Sequence, residues 1–401
     1  MERTAWLAAA ATTAVILACT LWPASPGERT VRFLDLSQQA TADAIRNIVL
    51  FAPLGAALVA TGLATRRVVL SSFLLSVAVE LAQFVVPGRD ASLYDVLSNT
   101  LGATLGCVVW RRRTPWQRPG ADAAARLSVV AALGLAATLA GTGYLLRTSF
   151  PATEYWAGWT PDFAQLALYR GRLDAVHLGD LAIANGPLPD SAAVRSLLEA
   201  RAPLRIEGVA GPPTPRLAPL ITLQDEGRRQ LLLVGAEHDD AVIRVRRVAT
   251  ELRFTTPELV FRDALAGLQR GGPLRLELAP GPRSTCLVIN GLSRCGVGDR
   301  AAHGWALVAG RGWVPVELER LADAAWLIAL ALPVGFWLRP RRQGLALLAI
   351  GICTASLLWI PHAFGLLPPS LIDWAALLVG LGCGVWLQHR TLPFRVDVRI
   401  G

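Results

Sequence analysis

Long apolar segments occupy both ends of the chain, and short alternating segments occupy its middle. A helix needs about 20 apolar residues to cross the hydrocarbon of a bilayer, and eight segments approach that length. They lie at about 5–23, 44–64, 68–86, 92–110, 126–147, 321–338, 343–360 and 370–388. The pattern predicts a polytopic α-helical membrane protein with about eight transmembrane helices.

Between residues 148 and 320 the apolar segments become short and alternate with polar residues. This alternation is typical of strands that bury one face. The segments are LRIEGV at 204–209, APLITLQ at 218–224, QLLLVGAE at 230–237, VIRVRRV at 242–248, LRLELA at 274–279 and CLVIN at 286–290. We expect an inserted all-β sandwich domain here, with one helix over residues 190–200.

Together these patterns predict three domains. Residues 1–147 form a transmembrane domain of five helices, and residues 148–320 form an extracytoplasmic sandwich. Residues 321–401 form a second transmembrane domain of three helices with a cytoplasmic tail.

Composition supports a membrane protein. The chain has 401 residues, of which 53% are hydrophobic, and its mean hydropathy of +0.42 is too high for an ordinary soluble protein. The net charge of +9 comes from arginine alone, since the chain contains no lysine. Because these arginines lie beside apolar segments, we expect them to set the membrane orientation rather than to bind nucleic acid.

The arginine-rich loops predict the orientation. They lie at 64–67, 111–118, 339–343 and 388–395. If these loops are cytoplasmic, both termini lie inside the cell and residues 148–320 lie outside the plasma (inner) membrane. The first apolar segment could be a signal peptide, but an uncleaved helix fits the charge rule at nearly every later loop. Arg89 is the exception, and we expect it to serve a polar cluster on the outer side.

That polar cluster lies in the three segments between residues 43 and 106. Charged and amide side chains are costly in hydrocarbon and normally face other helices. They lie at the start of the first segment, the end of the second and the start of the third, so the spacing places them at one membrane face. The candidate ligand-binding residues are Asn47, Glu80, Gln83, Arg89, Asp95 and Asn99.

Two interpretations of the cluster remain open. It can be a structural network that fixes helix packing, in which Arg89 pairs with Glu80 or Asp95. It can instead bind an anionic or polar headgroup at the outer face. The depth at the outer face and the nearby Arg89 slightly favour the binding of a headgroup.

The same residues resemble a known family. RNIVLFAPLG, followed by VELAQFVVPGRDASLYDVLSNTLGATLG, is similar to the VanZ-like family over about residues 35–112. The positions that match the motifs are Asn47, Phe51, Pro53, Gly55, Glu80, Gln83, Pro87, Gly88, Arg89, Asp95, Asn99, Thr100 and Gly102. The resemblance implies a cell-envelope membrane protein, and it suggests a link to glycopeptide resistance because the founding member is associated with resistance to teicoplanin.

We therefore expect a non-enzymatic protein that binds a membrane lipid or a lipid-linked cell-wall precursor. The alternative is a membrane-embedded enzyme or transporter that acts through Glu80, Arg89 and Asp95. The five histidines are scattered, and no HExxH, GxSxG or nucleotide-binding motif occurs. We expect no metal and no cofactor, and the sequence does not indicate an oligomeric state.

The segment GGPLRLELAPGPRSTCLVINGLSRC resembles a hairpin of concanavalin A-like and laminin G-like sandwiches. This resemblance implies that the predicted sandwich binds a glycan or an envelope partner. Aromatic residues that could form a carbohydrate platform are Tyr155, Trp156, Trp159, Trp305 and Trp313. Packing in the core or near the membrane is the other explanation for these rings, and we favour it.

The same segment predicts a disulfide. If Asn290 and Gly291 form a two-residue type I′ turn, Cys286 and Cys295 face each other across the hairpin. Their predicted Cα separation of about 4.5 Å lies at the short end of the disulfide range. Two free thiols are the alternative, but an oxidising outer compartment favours the bridge.

Overall fold

The computed structural model describes residues 2–22, 39–87, 89, 91–310 and 314–391. Gly88 of the predicted motif, Trp313 and the predicted tail after residue 391 lie outside these residues.

Helices form at all eight predicted positions. They are α1 (Glu2–Leu21), α2 (Ala40–Ala60), α3 (Thr65–Gln83), α4 (Leu93–Arg111), α6 (Ala121–Leu145), α10 (Glu319–Trp337), α11 (Gln343–Phe364) and α12 (Leu371–Thr391). A short helix, α5 (Thr114–Gln117), connects α4 to α6. In the described part of the chain, six helices are long and apolar enough to cross a membrane. The other two are α3 and α4, which carry the polar residues, so their crossing stays a prediction.

The chain between α6 and α10 forms two six-stranded antiparallel sheets. The strands are β1 (Tyr155–Trp159), β2 (Arg172–Leu178), β3 (Leu181–Ala182), β4 (Gly186–Leu188), β5 (Leu204–Val209), β6 (Thr214–Asp225), β7 (Gln230–His238), β8 (Asp240–Val245), β9 (Leu259–Phe261), β10 (Pro273–Pro280), β11 (Thr285–Ile289) and β12 (Leu292–Val297). The first sheet has the order β4-β1-β6-β7-β8-β9, and the second has the order β12-β11-β10-β5-β2-β3. Three short helices accompany them: α7 (Ser191–Glu199), α8 (Val248–Glu251) and α9 (Ala306–Ala309).

One hydrophobic core lies between the two sheets. Leu220 and Val234 of the first sheet belong to the same buried cluster as Ile206, Leu276 and Leu287 of the second. In β5 and β10 the buried side chains alternate with exposed or partly buried neighbours, as predicted, whereas β6 and β7 are buried along most of their length. We call this part of the chain, residues 148–318, the β region.

The predicted disulfide is present. Ile289 pairs with Leu292 across the turn, and both turn residues, Asn290 and Gly291, have positive φ, as a type I′ turn requires. The Cα atoms of Cys286 and Cys295 lie 4.0 Å apart, and the two sulfur atoms are bonded.

Glycines bring α2 and α4 into backbone contact. A Cβ atom on Gly55 of α2 would overlap the carbonyl oxygen of Ala103 on α4. Gly106 of α4 meets the carbonyl oxygen of Ala52 in the same way. With Gly102, Gly106 forms the small-xxx-small pattern that lets transmembrane helices approach closely. Only glycine fits these positions at this helix separation.

The pair α10 and α12 repeats this packing. Gly335 of α10 meets the carbonyl oxygen of Leu381, and Gly384 of α12 meets that of Leu332. A proline precedes the glycine by two positions in both α2 and α10. The spacing from the N-terminal aspartate to these residues is also the same in the two helices. The sets are Asp43, Pro53 and Gly55 in α2, and Asp323, Pro333 and Gly335 in α10.

The final helices of the two groups match as well. Ser92 precedes α4 and Ser370 precedes α12, and each is followed by leucine and, three positions on, by aspartate. The aspartates and glycines again share their spacing, with Asp95, Gly102 and Gly106 in α4 and Asp373, Gly380 and Gly384 in α12. The chain therefore contains an internal repeat, which our sequence analysis missed.

The repeat explains where the β region is inserted. In the first unit α1 packs against α2 and α3, and in the second α6 packs against α10 and α11. The β region separates α6 from α10 at the place where residues 22–39 separate α1 from α2. The middle helices differ, because α3 packs against α4 whereas α11 packs mainly against α6.

The β region touches the first unit at the N-terminus of α2. The backbone N–H groups of Thr41 and Ala42 donate to the carbonyl oxygen of Arg253, at 3.2 and 3.4 Å. These N–H groups have no partner inside the helix. The contact places the start of α2 on the same side of the helices as the β region.

Candidate functional site

The candidate residues gather at one end of the first unit. They lie at the start of α2, the end of α3 and the start of α4, as the spacing predicted. Because the start of α2 contacts the β region through Arg253, this end of the unit is the end that faces the β region.

Glu80 lies between α3 and α4. Its side chain is 6% exposed, and its Oε2 accepts a hydrogen bond from the backbone N–H of Ser92 at 2.8 Å. Ser92 immediately precedes α4, where backbone N–H groups lack partners inside the helix. Asp95, one turn further along α4, is close enough to interact electrostatically with Glu80. Two carboxyl groups are thus close together near the positive end of α4.

Asn47 connects α2 to this carboxyl pair. Its Nδ2 donates to Ser98 Oγ at 3.3 Å, and the Ser98 hydroxyl donates to the backbone carbonyl of Asp95 at 3.2 Å. Asp43 and Arg46, one turn earlier on α2, form an ion pair at the edge of the cluster.

Asn99 lies deepest in the cluster. Its side chain is 2% exposed, and its Nδ2 donates to Ser76 Oγ at 2.9 Å. Among the described residues nothing donates to its Oδ1, which is buried. An unpaired buried carbonyl oxygen is unfavourable by about 1–3 kcal/mol. Ser72, one turn from Ser76 on α3, is also fully buried with an unpaired hydroxyl, and our sequence analysis missed both serines.

Gln83 and Arg89 contact α1 instead. Gln83 Nε2 donates to the carbonyl oxygen of Thr20 at 3.2 Å. The Arg89 guanidinium donates to the carbonyl oxygens of Cys19 and Trp22, at 2.9 and 3.0 Å. These carbonyls belong to the C-terminal end of α1, where a cation is favourable.

The expected pairing of Arg89 with a carboxylate is therefore not what the structure shows. Within the described residues, Arg89 donates to α1 and forms no ion pair with Glu80 or Asp95. The structure brings Asn47, Glu80, Asp95 and Asn99 together, and we call these four residues the polar cluster. Gln83 and Arg89 form a separate contact that joins α3 and the following loop to α1.

The second unit differs at the matching positions. Leu327 of α10 stands where α2 has Asn47, and Leu377 of α12 stands where α4 has Asn99. Both leucines are buried, at 1% and 4% exposure. The aspartates are kept: Asp373 accepts from the N–H and the hydroxyl of Ser370 at 2.6 and 2.9 Å. This is the reciprocal half of a helix capping interaction.

The cluster offers mainly hydrogen-bond acceptors. The carboxylates of Glu80 and Asp95 accept, and the unpaired oxygen of Asn99 accepts as well. Among the described residues, no group of three His, Cys, Asp or Glu side chains is placed to hold a metal ion.

The aromatic residues of the β region are mostly used in packing. Tyr155 and Trp305 are buried, and Trp305 Nε1 donates to Asp323 Oδ1 at 2.8 Å. Trp156 and Trp159 are only partly buried. These two rings are the described aromatic residues of the predicted platform that a ligand could reach.

Comparison with known proteins supports the resemblance for the first unit. No curated protein sequence and no solved structure matches the chain. The two-sheet β region therefore has no demonstrated relationship to concanavalin A-like proteins. Residues 9–114, which span α1 to α4 and contain the whole polar cluster, match the VanZ/LLP1 family.

Proposed function

We propose that the polar cluster binds the headgroup of a membrane lipid or a lipid-linked envelope precursor. The observation that carries the proposal is the contrast between Asn99 and Leu377, which occupy matching positions of the two units. Since α10 and α12 make the same glycine contacts with leucine at this position, the helix packing does not require an amide there.

The same comparison applies to Asn47, which corresponds to Leu327. Asn47 is partly buried, whereas Asn99 is a buried amide with an unpaired oxygen, which is less favourable than a well-packed leucine. The first unit retains amides where the second unit is apolar. We attribute this difference to ligand binding: the hydrogen bond from Asn99 to Ser76 on α3 uses the amide donor and leaves the Asn99 oxygen for a ligand.

The chemistry of the cluster defines the ligand class. Carboxylates and carbonyl oxygens accept hydrogen bonds, so they suit hydroxyl or ammonium groups. Arg89 donates to α1, and Arg46, at the edge of the polar cluster, pairs with Asp43. The cluster therefore favours a sugar, glycerol or ethanolamine headgroup over a bare phosphate, which narrows the sequence-based expectation of an anionic or polar headgroup.

The membrane location follows from the arginine-rich loops. They lie at the opposite ends of the helices from the polar cluster. If these loops are cytoplasmic, as the positive-inside rule favours, the polar cluster lies in the outer leaflet of the plasma membrane and the β region lies outside the membrane. For the β region we propose a laminin G-like sandwich that contacts an envelope glycan or protein, with Trp156 and Trp159 as the accessible rings.

The test is lipid binding by the purified full-length protein. Native mass spectrometry should detect a retained lipid or precursor with a hydroxyl- or amine-bearing headgroup. Glu80→Gln keeps an oxygen for the Ser92 N–H but removes the charge. The variant should therefore fold normally and lose the protein–lipid adduct that native mass spectrometry detects. Arg172→Gln, a highly exposed site in the β region, serves as the control.

Two results would oppose this function. If Glu80→Gln retains the adduct at wild-type stability, the cluster is not the binding site. If the reconstituted protein turns over or transports the lipid, the membrane enzyme or transporter is the better description.

A further inference from the structure

A second site lies where the β region meets the C-terminal helices. A cavity of about 550 Å³ begins between the two sheets and extends to the ends of α6 and α11. This volume lies within the range of about 300–1,000 Å³ that small-molecule sites occupy. The cavity shares no lining residue with the polar cluster.

The inner part of the cavity is apolar. Leu232 and Ile243 line it from the first sheet, and Leu178, Leu204 and Leu278 line it from the second. All five side chains are buried. An aliphatic chain placed here would be surrounded by side chains of both sheets.

The outer part of the cavity is cationic. Arg147, Arg201 and Arg283 line it and are exposed. Arg201 uses one N–H group on the carbonyl oxygen of Gly281, at 2.9 Å, and Arg283 contacts His362. A guanidinium has five N–H donors, so these arginines retain donors for an anion.

A buried arginine also lines the cavity. Arg247 is 3% exposed; its Nη1 donates to the carbonyl oxygen of Leu146 at 2.8 Å and pairs with Asp299. Its Nε is buried, and no described residue accepts from it. Asp299 is the one acidic residue among the described lining residues, against four arginines. The cavity therefore carries excess positive charge.

The cavity opens at membrane depth. Phe364 and Gly365 line it at the point where the apolar helix α11 ends. Leu146 and Arg147 line it directly after α6. Helix ends of this kind lie near the interface between hydrocarbon and headgroups.

We propose that this cavity binds an amphiphile with one aliphatic chain and an anionic head. The chain lies between the sheets among the leucines, and the carboxylate or phosphate lies against Arg201 and Arg283. Such a molecule can be a free fatty acid or a single-chain anionic lipid. Both combine an aliphatic chain, which suits the apolar inner part of the cavity, with an anionic head, which suits its cationic outer part.

A displacement assay on the full-length protein in a non-ionic amphipol tests the proposal. Dansyl-undecanoate is the probe, and laurate, lauryl phosphate and neutral dodecanol are the competitors. Both anions should displace the probe saturably, and dodecanol should be at least about tenfold weaker. Each methylene added between octanoate and laurate should tighten binding by up to about fourfold.

Variants test separately how the anionic head and the aliphatic chain of the ligand contribute to binding. The double variant Arg201→Gln/Arg283→Gln should weaken laurate at least about tenfold and leave dodecanol unchanged. Arg172→Gln/Arg275→Gln changes two exposed arginines on the same sheet outside the cavity and should have no effect. Leu278→Trp should fill the interior and abolish binding, and the chain-length series on the wild type covers the case in which this variant does not fold.

If 1-lauroyl lysophosphatidate binds more tightly than laurate, the ligand is a single-chain lipid. If laurate binds more tightly, the ligand is a free fatty acid. Three results would overturn the proposal: no saturable displacement, equal displacement by dodecanol, or an equal loss of binding in the Arg172/Arg275 control. Glu80→Gln should not change laurate binding in this assay, because Glu80 does not line the cavity. The result of the assay is therefore independent of the proposed function.

Discussion

Glu80 on α3 caps α4 through the backbone N–H of Ser92. In the second unit the corresponding N–H, that of Ser370, is bound by Asp373 of its own helix. The first unit thus satisfies the start of α4 from a neighbouring helix. Asp95, which matches Asp373, is placed near the Asn47 amide instead. Because Glu80, rather than the aspartate of the same helix, accepts the hydrogen bond from this N–H group, Asp95 remains available to the polar cluster.

This relationship predicts different effects for two changes at Glu80. Glu80→Ala leaves the Ser92 N–H without its acceptor and should reduce the free energy of unfolding by about 1–2 kcal/mol. Glu80→Gln supplies a carbonyl oxygen at the same place and should cost less. Thermal unfolding of both variants in the same detergent measures the difference. Equal destabilisation by both would show that the charge, rather than the hydrogen bond, stabilises the start of α4.

The glycine contacts predict matched effects in the two units. Gly106→Ala and Gly384→Ala each place a methyl group against a backbone carbonyl of the partner helix, and overpacking of this kind costs about 1–3 kcal/mol or more. Both variants should unfold at lower temperature. Gly134→Ala is the control, because this exposed glycine of α6 has open space at its Cβ. It should stabilise its helix by up to about 1 kcal/mol. A Gly106→Ala variant as stable as wild type would contradict the close helix contact.

Local patterns account for what the sequence predicted correctly. The length of the apolar segments placed the eight helices, and the Asn290–Gly291 turn set the register that joins Cys286 to Cys295. The polar residues were placed at one end of the helices because their spacing within each helix fixes their depth.

The partners of those residues depend on tertiary packing and were not predictable in this way. Arg89 could bind a carboxylate or α1, and only the position of the α1 carbonyls decides it. Strands β1, β3, β4 and β9 were missed because they are short or contain glycine or proline. Strand β2 was missed because a register shift between Leu173 and Ala175 interrupts its alternation of buried positions. The internal repeat was visible in the sequence as the shared Asp, Pro and Gly spacing, and comparing the chain with itself would have found it.

The orientation makes a separate prediction. If residues 148–318 are extracytoplasmic, alkaline phosphatase fused at Pro215 should be active. The same enzyme fused at Pro115, in the arginine-rich loop after α4, should be inactive. Measured enzyme activity in cells, normalised to the amount of fusion protein, gives the result. An active fusion at Pro115 with an inactive fusion at Pro215 would reverse the topology and place the polar cluster in the cytoplasmic leaflet.

The disulfide should stabilise the β11–β12 hairpin. The bridge joins residues nine positions apart, and a loop this short gives a contribution near the low end of the usual range, about 2 kcal/mol. Reduction should therefore lower the unfolding temperature of the full-length protein by a few degrees. A Cys286→Ser/Cys295→Ser variant, insensitive to reductant, is the control. Alkylation of both thiols before any reduction would show that the bridge does not form in the cell.

The sharpest test of the polar cluster exchanges side chains between the repeated units. Asn99→Leu copies the second unit. It removes the unpaired buried oxygen together with the hydrogen bond to Ser76, so the two effects offset each other and the unfolding temperature should change little. The reciprocal Leu377→Asn buries an unpaired amide among apolar neighbours and should cost about 1–3 kcal/mol.

The two variants should differ in the opposite direction when lipid binding is measured. Asn99→Leu should lose the native mass-spectrometry adduct, because Asn99 lies in the polar cluster, whereas Leu377→Asn should keep it at temperatures where the protein is folded. The comparison is made at matched positions, since Gly102 and Gly380, three residues after Asn99 and Leu377, contact the partner helix in the same way. If Asn99→Leu destabilises the protein as much as Leu377→Asn does and keeps the adduct, Asn99 is a structural residue and the cluster is not a binding site.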